Sequence, residues 1–275
     1  MKKGSDTSSS SMARNQRGIE LADRGWLEEA LREFSRAIEE DPATPYPWLN
    51  RANVYLQQGR YTEALSDIME ALKRGPEDSA THFHLGSSLY RFGPEIARSE
   101  LQKALELDPE NLDAMIHLAM LEADSGDLES AERLLLRAYE LDPDDPVVQR
   151  ELGALMLDQA RPHQAIVYLR NAFEAWPEDT DTALDLAAAY IQAGFYQQAD
   201  RLLKKIVAGQ PNCVHAWYNL AAIHADWGRQ SRCRSYLRQA LEIERRLVLK
   251  WLETDSMFDK VRDSWWFKQL VGRNE

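Results

Sequence analysis

Apolar and small residues recur along this chain at a fixed interval, and no other feature of the sequence restricts its fold as tightly. Ala30, Phe34, Ala37 and Pro42 return as Ala64, Ile68, Ala71 and Pro76, each 34 positions later. The next set, Ala97, Leu101, Ala104 and Pro109, follows after 33, and the interval of 34 resumes with Ala131, Leu135, Ala138 and Pro143. Ala165, Leu169, Ala172 and Pro177 come next, then Ala199, Leu203, Ile206 and Pro211, and the series closes with Cys233, Leu237 and Ala240. An interval of this size belongs to arrays in which each segment is one supersecondary unit that cannot bury its apolar face without its neighbours.

Two further columns lie upstream. A small residue stands at Gly18, Ala52, Gly86, Ala119, Gly153, Ala187 and Ala221, and seven residues after each comes Gly25, Gly59, Gly93, Gly126, Ala160, Gly194 and Gly228. Two helices approach closely only where the crossing point carries a small side chain. Glycine tolerates the left-handed conformation that ends a helix. Asp41-Pro42, Asp108-Pro109 and Asp142-Pro143 then stop the following helix, because proline cannot continue it and pushes the residue before it out of helical geometry. Each segment is therefore expected to fold as helix, glycine turn, helix and proline-containing turn.

The order seen in Trp48, Ala52, Tyr55, Gly59, Tyr61, Ala64, Ile68, Ala71 and Pro76 resembles the tetratricopeptide repeat (TPR), and the resemblance runs from about Ser11 to Leu247. It implies an all-α fold, a right-handed α-solenoid of seven helix-turn-helix units whose first helices line a concave groove for a peptide or helix of another protein. The expected units span about 11–44, 45–78, 79–111, 112–145, 146–179, 180–213 and 214–247, after a disordered Ser-rich tail at 1–11 and before a capping segment at 248–275.

Two repeats depart from the pattern. The third lacks one residue between Gly93 and Ala97, with Pro94 expected at the first position of the second helix. The fifth has Ala160 and Pro162 at its turn. No proline ends the seventh, so Ala240 to Leu252 is expected to extend its second helix. A solenoid must cover its last apolar face. Met257, Phe258, Val261, Trp265, Trp266, Phe267, Leu270 and Val271 supply a capping helix after Asp255 and Ser256, which suit a cap. This segment also resembles a tail common in bacterial TPR proteins, with Ser where Pro is usual, and the resemblance suggests a bacterial source. A docking role for the Trp-rich end is the alternative to capping.

Composition narrows the function. Thirty-three Lys and Arg against 45 Asp and Glu give a net charge of -12, which repels nucleic acid and anionic lipid. The start, Met1-Lys2-Lys3-Gly4 and then Ser5 to Ser11, is not followed by the apolar run of a secretory signal, and no stretch approaches the roughly 20 apolar residues of a membrane span. Two cysteines, Cys213 and Cys233, suit a reducing compartment. A cytoplasmic protein is expected, with neither nucleic acid nor membrane insertion among its partners.

No phosphate loop, nucleophile elbow or His-Glu-x-x-His helix occurs. Catalysis and a cofactor are accordingly not expected. His84 and His117 share a column of adjacent first helices, with Asp113 one turn before His117, but solvated groove residues outweigh a metal site there. Asp124-Ser125-Gly126-Asp127 lacks the remaining ligands of a calcium loop.

On the resemblance's geometry, groove positions lie two residues before and five after each small position. In the second and third repeats these are Asn50, Gln57, His84 and Arg91, joined by Asn53 and Ser87, a polar and near-neutral set. In the fourth to seventh they are His117, Asp124, Glu151, Asp158, Asp185, Gln192, Asn219 and Asp226, with Asp113 and Asp181 one turn before. That set is acidic and free of Lys and Arg, and it is expected to bind a basic segment. Some TPR co-chaperones hold a terminal carboxylate with Lys, Asn and Arg. Only Asn50 matches here, while Asn15, Ile19, Ala80 and His84 occupy the other positions, so that ligand is not expected. A non-catalytic scaffold or adaptor is the leading reading, a regulatory subunit of a partner enzyme the alternative, and a stand-alone enzyme the remotest.

Overall fold

The computed structural model describes residues 4–74, 79–90 and 93–272. Among them no β-strand occurs, and helices follow one another in packed pairs. The first four pairs are α1 (Gly4–Asp23) with α2 (Leu27–Glu40), α3 (Tyr46–Gln57) with α4 (Tyr61–Arg74), α5 (Ser79–Leu89) with α6 (Pro94–Leu107), and α7 (Leu112–Asp124) with α8 (Leu128–Leu141). Then come α9 (Pro146–Asp158) with α10 (Pro162–Ala175), α11 (Thr180–Gln192) with α12 (Tyr196–Gly209), and α13 (Val214–Asp226) with α14 (Gln230–Leu252). A 3-10 turn (Ser256–Phe258), α15 (Asp259–Arg262) and α16 (Trp265–Val271) follow. The fold is an α-solenoid with a terminal cap. Its chain contacts divide it into two compact halves, Met1–Leu141 and Asp142–Glu275.

The recurring columns are the core. Ala30, Ala64, Ala97, Ala131, Ala165, Ala199 and Cys233 are all completely buried, and so are the Leu101, Leu169, Leu203 and Leu237 side chains one turn later. The small column has a measurable cause: a Cβ added at Gly18 would sit 2.4 Å from Phe34, one at Gly86 2.5 Å from Leu101 and one at Gly153 2.4 Å from Leu169. Only a bare backbone lets the two helices of these repeats pack at that distance.

The turns also have local causes. Gly25, Gly59, Gly126, Gly194 and Gly228 adopt positive φ, and Ala160 does so at 55°, a conformation that strains a side chain. Gly93 departs from the expected role. It has φ -149° and precedes Pro94, the first residue of α6, because the deleted residue removes the left-handed step. After the second helices the Asp-Pro pairs form matching turns, in which Asp41, Asp108 and Asp142 each accept the backbone N–H two residues on. Asn111, Asp145 and Asp179 cap α7, α9 and α11 by accepting N–H groups of their first turns.

Two expectations about the ends give way. Residues 4–11, expected as part of a disordered tail, belong to α1; Ser11 is buried and its hydroxyl donates to the Ala37 carbonyl at 2.9 Å, tying α1 to α2. At the other end α14 is broken at Glu244, where φ is -145° and ψ 75°. The same backbone conformation ends α2 at Asp41 (-140°, 86°), α10 at Trp176 (-127°, 75°) and α12 at Gln210 (-130°, 82°). Glu244 lies 34 residues after Gln210 and is the seventh repeat's own helix stop; without a proline, the chain re-enters a helix at once.

Within each half the first helix of one repeat touches the first helix of the next: α1 with α3, α3 with α5 and α5 with α7, and likewise α9 with α11 and α11 with α13. Among the described residues the second helices of successive repeats do not come as close. First helices therefore form the tighter, inner row of each half and second helices the outer row. The last row is closed by Phe258, Val261, Trp266 and Phe267, all buried against Tyr218, Ala222, Leu237 and Ala240 of α13 and α14.

Candidate functional site

The inner row carries the residues singled out in the sequence, in two separate sets. In the amino-terminal half, Asn50 donates its amide to Asn15 Oδ1 at 2.9 Å, joining α3 to α1. Tyr46 packs edge-on against the His84 ring, with centroids 5.9 Å apart, and Phe83 stands edge-on to His117 at 5.1 Å. His117 Nδ1 is 2.9 Å from the Asp113 backbone oxygen, a bond within its own helix, and the exposed Asp113 carboxylate is not its partner. Asp124 accepts the Tyr90 hydroxyl at 2.5 Å from the preceding repeat. Asn53 and Ser87 are half-buried and Gln57 is exposed, while Arg91 lies outside the described residues. This set is a polar and aromatic surface. No three His, Cys, Asp or Glu side chains among the described residues converge as metal ligands.

In the carboxy-terminal half the acids do come together. Asp185 on α11 is half-buried, with Glu151 of α9, Asp179 at the cap of α11 and Asp181 of α11 around it. Burial, opposed by the Arg150 guanidinium and reinforced by those three carboxylates, pushes the Asp185 carboxyl up to about 6. Arg150 is the cation that the sequence reading passed over. It precedes Glu151, bonds to it, and opposes the carboxylates around Asp185. Beside Asp181 a pocket of about 740 Å³ opens between the start of α11 and the start of α13, lined by Glu178, Asp179, Asp181, Gln210, Cys213 and His215. Asp158 and Gln192 are exposed and Asn219 half-buried.

Asp226 leaves this set. The Lys260 ammonium from α15 donates to its carboxylate at 2.9 Å and to its backbone oxygen at 2.6 Å, so the cap neutralises the last groove acid. Sequence columns could not show this, because Lys260 belongs to no repeat. Two buried histidines were likewise out of reach: His82 meets Glu100 at 2.5 Å, and His224 meets Asp200 at 3.0 Å beneath Trp227 and Tyr236. Burial holds the His224 imidazole below its ordinary range. Both pairs join a first helix to a second helix inside the stack.

Family models described as tetratricopeptide repeat match residues 94–155 and 156–223, 15–79 and 49–94, and 214–246. The chain belongs to the tetratricopeptide repeat family. The TPR chain is 32% identical over 83 residues to the small glutamine-rich tetratricopeptide repeat-containing protein 2 of Mycosarcoma maydis, covering 30% of this chain and 24% of that protein. It is 30% identical over 118 residues to the Hsp70-Hsp90 organizing protein of Triticum aestivum, covering 38% of this chain and 20% of that one. The matched stretch is thus a quarter or less of either relative's length. Among solved structures, the APC/C hetero-tetramer Cut9-Hcn1 superposes with a TM-score of 0.72 over 92% of this chain and 48% of that one at 18% identity, a likeness of fold. The TPR fold is that of a protein-protein interaction scaffold, and no described helix of this TPR chain is long and apolar enough to cross a membrane.

Proposed function

We propose that this chain is a non-catalytic scaffold or adaptor whose carboxy-terminal half binds a basic segment of a partner protein along its inner row. Asp185 carries the reading. Burial first, and then repulsion from Glu151, Asp181 and Asp179, holds its carboxyl up to about 6 against the opposing Arg150 guanidinium. A Lys or Arg side chain entering the adjoining pocket would relieve that repulsion and form charge-assisted hydrogen bonds. Asp158 and Asn219 extend the polar contact along the row. The two free thiols, Cys213 half-buried and Cys233 buried, support placement in the cytoplasm.

The test is titration of the full chain with a Lys/Arg-rich peptide, read by calorimetry. Binding is expected to weaken as salt rises and to vanish when the exposed Asp158 and Asp181 are both changed to Lys, with the circular dichroism of the chain unchanged. Equal affinity in that double variant rules the reading out.

A further inference from the structure

The start of α14 bears the opposite charge. From Gly228 to Leu241 the chain has Arg229, Arg232, Arg234 and Arg238 and neither Asp nor Glu, within a protein of net charge -12. Arg229 stacks on Trp227 and Arg234 on Trp265, and none of the four meets a carboxylate among the described residues. Gln230, Ser231, Arg234, Ser235 and Arg238 recur at helical spacing on one face of α14 and, with Trp266 of α16, line an open cleft of about 430 Å³.

The lining is rich in hydrogen-bond donors. Trp266 Nε1 donates to Gln230 Oε1 at 3.2 Å, which occupies the acceptor of that amide and leaves its NH2 group to donate. The Arg234 guanidinium lies 5.3 Å from the centre of the Trp265 ring, and its Nε is buried without an acceptor. Trp265 itself is 69% exposed. A planar guanidinium held by stacking is set for two parallel bonds to a carboxylate, and an exposed Trp beside it offers an apolar contact of the kind that anchors interfaces.

We propose that this cleft binds an acidic peptide segment of a partner protein, with its carboxylates on Arg234 and Arg238 and an apolar side chain against Trp265. The face from Gln230 to Arg238 is about 12 Å long, room for three or four extended residues and more than a single ion fills. The chain's net negative charge disfavours nucleic acid over a short acidic peptide. The cleft lies on a second helix, outside the inner row, so the assignment is independent of the basic-segment proposal.

The experiment is fluorescence anisotropy of the full chain with a short labelled Asp/Glu peptide carrying one Leu. Saturable binding is expected, weakened at least about tenfold by Arg238→Gln and by Arg234→Gln and weakened by Trp265→Ala. Arg238 is exposed and unpaired, so its variant decides the matter if Arg234→Gln lowers the melting temperature. Absence of binding, or equal affinity in Arg238→Gln, overturns the proposal. Displacement of the peptide by inorganic phosphate at equal concentration would reassign the cleft to a small anion, and tighter binding of a single-stranded oligonucleotide would reassign it to nucleic acid. Self-association of the chain that Arg238→Glu abolishes would reassign it to a second copy; each of these three results also overturns the proposal.

Discussion

The Arg51 guanidinium clasps the Asp67 carboxylate with two bonds, Nε to Oδ2 at 2.7 Å and Nη2 to Oδ1 at 2.8 Å, across the interface of α3 and α4. Its remaining Nη1 donates to Ser35 of α2 at 2.9 Å, and its plane stacks between Trp48 and Tyr55. One half-buried side chain thus ties three helices of the amino-terminal half. Asp67→Ala leaves that cation without its partner and is expected to cost about 3 kcal/mol. Urea denaturation gives the magnitude, and hydrogen exchange should locate the loss in α3 and α4.

Gly153 faces Leu169, which is completely buried and has nowhere to retreat. Gly153→Ala therefore overpacks the crossing of α9 and α10 and is expected to destabilise by about 1–3 kcal/mol, despite the better helix propensity of alanine. A rise in melting temperature would show that the crossing is looser than its 2.4 Å contact states.

Ala160 holds φ 55° where the other left-handed turns have glycine. Ala160→Gly removes the steric penalty of a Cβ in that conformation and is expected to stabilise by about 1 kcal/mol. Gly59→Ala, at φ 73°, should lose a similar amount. Thermal melts of the two variants should move in opposite directions.

The Asp185 carboxyl titrates at about 6 in the fold against 3.8 for the ordinary group. The folded chain then holds the proton more tightly, so the contribution to stability is present below pH 4 and lost as pH rises through about 6. Asp185→Asn should flatten that slope and stabilise the chain at neutral pH by on the order of 1–2 kcal/mol after allowance for partial exposure. In the same variant, capture of a basic peptide should no longer strengthen between pH 5 and 7, an interval set about the value near 6.

The repeat was legible because its columns are made by packing. Ala64, Ile68 and Ala71 recur because a helix crossing needs the same volumes in the same places each time. The site was legible only as composition. Counting columns found Glu151, Asp181 and Asp185 but treated every charge as free. The structure brings Tyr90 to Asp124 and Lys260 to Asp226, each pair 34 residues apart, and sets Arg150 against Glu151 from the neighbouring position. Such pairings depend on side-chain direction, which a column does not record. The paired histidines, His82 and His224, were hidden for the same reason: Glu100 reaches His82 from the second helix of its own repeat, and Asp200 reaches His224 from the second helix of the repeat before.

Glu244 keeps the periodic register alive beyond the seventh repeat. The helix stop recurs there on schedule and only the spacer is missing, and residues 245–252 run on against the first helix of the seventh repeat, where Trp251 meets His215 and Tyr218. A spacer spliced after Glu244 should accordingly admit another whole repeat ahead of the aromatic lid, with Val248, Leu252 and Phe258 carried outward as a transplantable plug.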